Sequence, residues 1–121
     1  MTATVLTRPL IRELVGRFYG RARADAELGP VFEAAVSDWE AHLEHLTAFW
    51  AASLLGERGF SGNPMAAHGR HPITPEMFDR WLDLWGETAR ELFAPEISEL
   101  LEARAARIAE SLKLGMFFRV S

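Results

Sequence analysis

Apolar residues recur three and four positions apart along most of the chain, and no stretch alternates like a strand for long. That periodicity predicts an all-α fold of about four long helices with short pieces between them. Thr7 can cap the first helix, with Pro9 in its opening turn. Leu10, Leu14 and Phe18, flanked by Ile11, Val15 and Tyr19, form its buried stripe, and Arg21 and Arg23 read as solvated. Gly29-Pro30 reads as a break, leaving a short helix or turn over 31–36. Ser37 to Glu40 has the spacing of a capping box and opens the second long helix. One face of that helix carries Trp39, Leu43, Leu46 and Trp50, and an overlapping face carries His42, Leu46 and Phe49.

Residues 56–62 read as a loop, and Asn63-Pro64 opens a one-turn helix ending at His68-Gly69. Thr74-Pro75 starts a third long helix, running to about Leu92. Phe78, Trp81, Leu82, Trp85, Ala89 and Leu92 form its stripe. Pro95 opens the last helix, with Ile97, Leu101, Ala105, Ile108 and Leu112 facing inward. Without repeats or linkers, residues 1–121 are expected to form a single domain.

Composition narrows the chemistry. The apolar content of 49% and charged content of 25% are those of a globular protein. No apolar run is long enough to span a bilayer, and the first residues lack a basic leader followed by an apolar stretch. A soluble cytoplasmic protein is the expectation. The absence of cysteine removes disulfides, thiolate nucleophiles, iron–sulfur clusters and cysteine-bound zinc together. The net charge of -4 argues against a nucleic-acid partner, because duplex binding rests on neutralising phosphates. Four tryptophans and eight phenylalanines fit either an aromatic helical core or a slot for a large flat ligand.

The four histidines fall into two His-x-x-His pairs, His42 with His45 and His68 with His71. Taken alone they fit surface or hydrogen-bonded residues, or a four-histidine zinc or copper site. The lack of a carboxylate in either pair argues against a di-iron bundle. His68 is the most informative. Two alanines precede it and Gly69 follows, so a planar ligand could approach the backbone there, and the Pro64 carbonyl could accept its second ring N–H.

The ordered fragments Phe18-Tyr19, Leu28-Gly-Pro-Val-Phe32, Trp39-Glu-Ala-His42, Phe49-Trp50, Asn63-Pro-Met-Ala-Ala-His68 and Phe78-Asp-Arg-Trp81-Leu82 resemble the group III truncated haemoglobins. The resemblance covers nearly the whole chain and implies a shortened globin fold around one haem b (iron protoporphyrin IX). It places His68 as the proximal ligand of the haem iron and Phe32 as the aromatic that stacks on the haem. Tyr19, His42 and Trp81 take the polar distal positions, and Leu46 the apolar distal one. The paired-glycine motifs of other truncated groups are absent, in agreement with group III.

Spacing agrees with that placement: His42, Leu46 and Phe49 lie about one helical turn apart and can line one side of a flat ligand. His45, Arg70 and His71 read either as propionate partners at the pocket mouth or as exposed polar residues. The implied ligands are oxygen, carbon monoxide or nitric oxide, with a reductase as partner and a monomer or weak homodimer as the assembly. Polar distal residues favour tight oxygen holding, so ligand chemistry or sensing suits the chain better than delivery. Nitric oxide dioxygenation or a peroxidase-like reaction is the enzymatic alternative. A four-histidine metal protein and a cofactor-free helical interaction domain are the readings outside haem chemistry.

Overall fold

Thr7 starts the first helix in extended backbone, and its hydroxyl accepts a hydrogen bond from the Leu10 N–H at 3.3 Å. The computed structural model describes residues 2–58 and 73–117, and these contain five helices and no strand. In order they are α1 (Arg8–Ala24), α2 (Leu28–Ala35), α3 (Trp39–Leu55), α4 (Pro75–Leu92) and α5 (Pro95–Phe117). No helix among the described residues is long and apolar enough to cross a membrane.

The buried stripe of α1 is Ile11, Leu14, Val15, Phe18, Tyr19 and Ala22, close to the one read from periodicity. Through it α1 packs against α2, α3 and α4, while α4 also packs against α5 and α2. The two arginines expected in solvent, Arg21 and Arg23, are partly and openly exposed respectively, and both also have partners. Arg21 donates to Thr88 Oγ1 at 2.9 Å and pairs with Glu91, both on α4. Arg23 pairs with Glu33 of α2 at 2.9 Å, and its guanidinium carbon lies 4.3 Å from the centre of the Trp39 ring. Long arginine stems can run along a helix surface and still reach a neighbouring element. Exposed pairs of either kind contribute about 0.2–1 kcal/mol each.

Gly29-Pro30 does not break the chain; it forms the first turn of α2. Proline is tolerated there because the first N–H groups of a helix have no intrahelical acceptor. Gly29 is required by proximity, since a β-carbon on it would lie 2.5 Å from the Arg23 carbonyl oxygen. The cap of α3 also differs from the sequence reading: it is Asp38, whose carboxylate accepts from Ala41 N–H at 3.1 Å, and Ser37 lies outside the helix. A carboxylate is the stronger acceptor for the positive end of a helix. At the other end of α3, Gly56 takes the left-handed conformation at φ 70°, which closes the helix without a β-carbon penalty. Thr74 occupies the cap position of α4, but its hydroxyl makes no capping bond.

The interior is closed by a few polar ties. Trp85 Nε1 donates to the Leu101 carbonyl at 3.1 Å, joining α4 to α5. Buried Thr47 and Thr88 return their hydroxyls to carbonyls one turn back, Leu43 and Leu84, at 2.7 Å each. The N-terminal residues add a strap: Ala3 donates to Leu92 O and accepts from Ala94 N–H, both at 2.8 Å, beside the turn between α4 and α5. In contrast, the backbone of α3 comes close to that of α1 but to that of no other described helix. Its far side reaches α4 through the stack of Trp50 on Trp85, with centroids 4.4 Å apart, and α5 through Arg104, which donates to Ser53 O and Oγ. A gap is therefore held open between α3 and the α4–α5 pair.

Asp25 fixes the corner where α1 turns into α2. Its carboxylate accepts from Glu27 and Leu28 N–H, both at 3.0 Å, and from Arg80 Nε at 2.7 Å. Burial opposes its charge, but the bonds from Leu28, Arg80 and Glu27 outweigh it and hold the pKa below the ordinary 3.8. A lowered carboxylate pKa stabilises the fold above the unfolded value, and that gain is lost as pH falls through the folded one. Asp25→Ala is expected to cost about 1 kcal/mol in urea unfolding at neutral pH. The difference from wild type should shrink as pH drops below 3.8; an equal difference at low and neutral pH would assign the effect to packing alone.

Candidate functional site

The gap beside α3 is a cavity of about 230 Å³. From α1 and α2 it is lined by Tyr19, Leu28, Val31 and Phe32, and from α3 by His42, His45, Leu46, Phe49 and Trp50. Its opposite wall is Ile73 with Met77, Phe78 and Trp81 of α4 and Ile108, Ala109 and Leu112 of α5. A second, more open cavity of about 480 Å³ shares Val31, Phe32, His42, His45 and Ile73 with the first. The helical repeat explains the lining on α3: His42, Leu46 and Phe49 follow one another at about one turn, as a single face must.

Tyr19 is one of the polar side chains lining this space, with His42, His45 and Trp81. It is buried, with its ring edge-on to Phe18 at 4.8 Å, Phe32 at 5.2 Å and His42 at 5.4 Å. Burial pushes its pKa far above the ordinary 10, and a hydrogen bond from the Trp81 side chain only partly offsets that. An indole can only donate, so this interaction runs from the Trp81 N–H toward the phenol oxygen. The phenolic hydrogen of Tyr19 is thus left to serve as a donor. No carboxylate, lysine or arginine lines the cavity among the described residues.

The structure brings Tyr19, Phe32, His42, His45, Leu46, Phe49 and Trp81 around one cavity, all residues that the sequence nominates. His68, Arg70 and His71 lie outside the described residues. Among the described residues no three histidine, cysteine, aspartate or glutamate side chains are grouped to hold a metal ion. Met77, Phe78, Ile108, Ala109 and Leu112 also line the cavity, although sequence spacing singled none of them out as site residues. An apolar side chain at core spacing carries no mark that tells a cavity wall from a packed interior.

A family model described as bacterial-like globin matches residues 5–113. The chain belongs to this family, as a group III truncated haemoglobin. It is 32% identical over 114 residues to the group 3 truncated hemoglobin ctb of Campylobacter jejuni, covering 90% of each chain. It is also similar to the crystal structure of group III truncated hemoglobin from Campylobacter jejuni, with a TM-score of 0.92, 30% identity and full coverage of both chains. The five-helix arrangement is accordingly that of a truncated globin. Membership of this family implies a haem cofactor and a globin-type gas-binding role.

The cavity of this truncated globin fits such a group on physical grounds. Helical proteins pack at crystal-like density, yet α3 stands off α4 and α5 across a space walled by Phe32, Phe49, Phe78 and Trp81. Flat apolar walls with a few placed polar groups suit a flat, largely apolar ligand. Tyr19 is the only tyrosine in the chain, so phenolate absorbance in the ultraviolet reports on it alone. In the folded protein no phenolate should form at pH values near 10. A raised pKa stabilises the fold fully below the unfolded value, and this gain is lost as pH climbs above it. Phenolate should therefore rise together with alkaline unfolding seen by circular dichroism; ionisation near 10 in a folded chain would place the hydroxyl in water.

Proposed function

We propose that this truncated globin binds haem b through His68 and reversibly binds oxygen, or another diatomic gas, on the side of Tyr19. The observation that supports this most is the buried, neutral Tyr19 in the cavity wall with the Trp81 side chain on its oxygen. Ferrous haem, when bound, supplies a coordination position and the electron density that turns dioxygen into a strong hydrogen-bond acceptor. The chain supplies the rest. Phe32 and Phe49 give the group flat apolar contact, and Leu46 closes the distal side to water. Trp81, by donating to the phenol oxygen, orients the Tyr19 hydroxyl and makes it a better donor. His42, edge-on to Tyr19 and part of both cavities, stands where a gas would enter. His45 faces both cavities and, with Arg70 and His71, would meet the propionates at the pocket mouth. Holding the iron ferrous in air requires an electron donor, for which a reductase is the proposed partner.

A donor aimed in advance at developing charge in a dry site acts without reorganisation. A hydrogen bond to a charged acceptor contributes about 1.5–3 kcal/mol, so losing it should speed oxygen release very roughly 10- to 100-fold. Tyr19→Phe keeps the ring and deletes the hydroxyl. Carbon monoxide gathers less charge, and its release should change much less. Stopped-flow release rates of both gases test this, and equal changes for the two would reduce Tyr19 to a core aromatic. For the proximal side, His68→Ala should lose haem or hold it with an altered spectrum on titration with haem. Native affinity together with a native ferrous spectrum would remove His68 from the iron.

A further inference from the structure

We propose that Arg80 is a positioning residue: anchored on Asp25, it holds Trp81 in register with the Tyr19 hydroxyl and so sets how long oxygen is retained. The proposal rests on the gas-binding reading above. Arg80 lines neither cavity. It acts from outside, through the residue that follows it on α4.

The two oxygens of Asp25 divide the work. Oδ2 accepts from both Glu27 and Leu28 N–H and so completes the local turn. Oδ1 is left for Arg80 Nε, 2.7 Å away and 55 positions along the chain. Only 7% of the Asp25 side chain is exposed, against 44% for Arg80. A carboxylate so shielded attracts a guanidinium more strongly than one in open water. The corner that carries it is stiff, because Gly29 N–H donates to the Asp25 carbonyl at 2.9 Å and Gly29 lies hard against the Arg23 carbonyl. Arg80 is thus tied to a fixed point.

That tie sits where the cavity needs it. Arg21 with Thr88 and Glu91 anchors one part of α4 to α1, and Arg80 with Asp25 anchors another. Trp81 adjoins the second anchor, whereas Thr88 is seven residues further along, about 10 Å of helix rise. Tyr19 and Trp81 both line the cavity and both stand edge-on to Phe18, at 4.8 and 5.6 Å. The Trp81 N–H is directed toward the Tyr19 oxygen. Aromatic contact tolerates a slide of about an ångström, but a hydrogen bond does not. A directional ion pair one residue away supplies the precision that packing on Phe18 lacks. The same carboxylate fixes the start of α2, whose Leu28, Val31 and Phe32 form the neighbouring wall.

The test is stopped-flow release of oxygen and of carbon monoxide from the haem-loaded full chain. Asp25→Asn keeps an oxygen for the Glu27 and Leu28 N–H groups and turns its amide toward Arg80; Arg80→Gln removes the charge from the other side. Each should speed oxygen release roughly three- to ten-fold and leave carbon monoxide release near the wild-type rate. The two together should do no more than either alone. In a Trp81→Phe background, which has no indole to place, neither change should alter oxygen release. In the diamagnetic carbon monoxide complex, the Trp81 indole N–H resonance, assigned by its loss in Trp81→Phe, should move upfield in both variants. If Asp25→Asn fails to fold, the exposed Arg80 carries the same test. Oxygen release unchanged in the variants, or a rise that persists without Trp81, overturns the positioning role. An equal rise for both gases does so too, since it would mean general loosening. Wild-type oxygen release from Tyr19→Phe would instead overturn the gas-binding reading on which the role of Arg80 rests.

Discussion

Burial of one face of α1 is the interaction on which the rest of the molecule depends. Ile11, Leu14, Val15, Phe18 and Ala22 are fully excluded from solvent, and this helix alone touches α2, α3 and α4. Fully burying a large apolar side chain is worth about 1.5–3 kcal/mol. An exposed ion pair of the Arg17–Glu13 or Arg23–Glu33 kind is worth a fraction of that. Apolar contact therefore sets the arrangement, and the many surface arginines trim it. The same stripe ends in Tyr19, so the force that assembles the helices also delivers a hydroxyl to the cavity.

The cavity exists because packing stops on one side of α3. Trp50 stacked on Trp85 and Arg104 bound to Ser53 act as spacers at the closed end, where the two walls meet. Nearer the distal corner, the α3 backbone is close to that of α1 alone among the described helices, and Phe49, Leu46 and His42 line the cavity. Rigidity at one end and compliance at the other suit a site that must hold a flat group yet admit a gas. Fold alone does not assign a task; in the function proposed above, Tyr19 and Trp81 would give that task its chemistry.

Much of this was legible in the sequence because helices announce themselves by period and punctuation. Thr7-Arg-Pro9, Thr74-Pro75 and Pro95 mark three starts where the helices do begin. Gly29-Pro30 was misleading because proline breaks a helix interior and suits its first turn equally, and only the tertiary position decides which. Ser37 and Asp38 both offer capping oxygens one residue apart, and spacing cannot rank them. At the site, Tyr19, His42 and Trp81 stood out as polar groups on apolar faces. Met77, Phe78 and Leu112 did not, since a wall and a core share one residue vocabulary. The partners of Arg21 and Arg23 were invisible for another reason: contacts between helices far apart in sequence leave no local pattern.

The strap at Ala3 has a consequence for how the molecule opens. Chain ends usually fray, exchanging their amide hydrogens with solvent at almost no free-energy cost. Here the Ala3 and Ala94 amides are donors in the paired backbone that joins the first residues to the α4–α5 turn. The segment between those two points contains α1, α2, α3 and α4, closed into a ring by two hydrogen bonds. Isotope exchange at the Ala3 and Ala94 amides therefore reports the free energy needed to open this closure, on top of the near-zero value of a loose chain end.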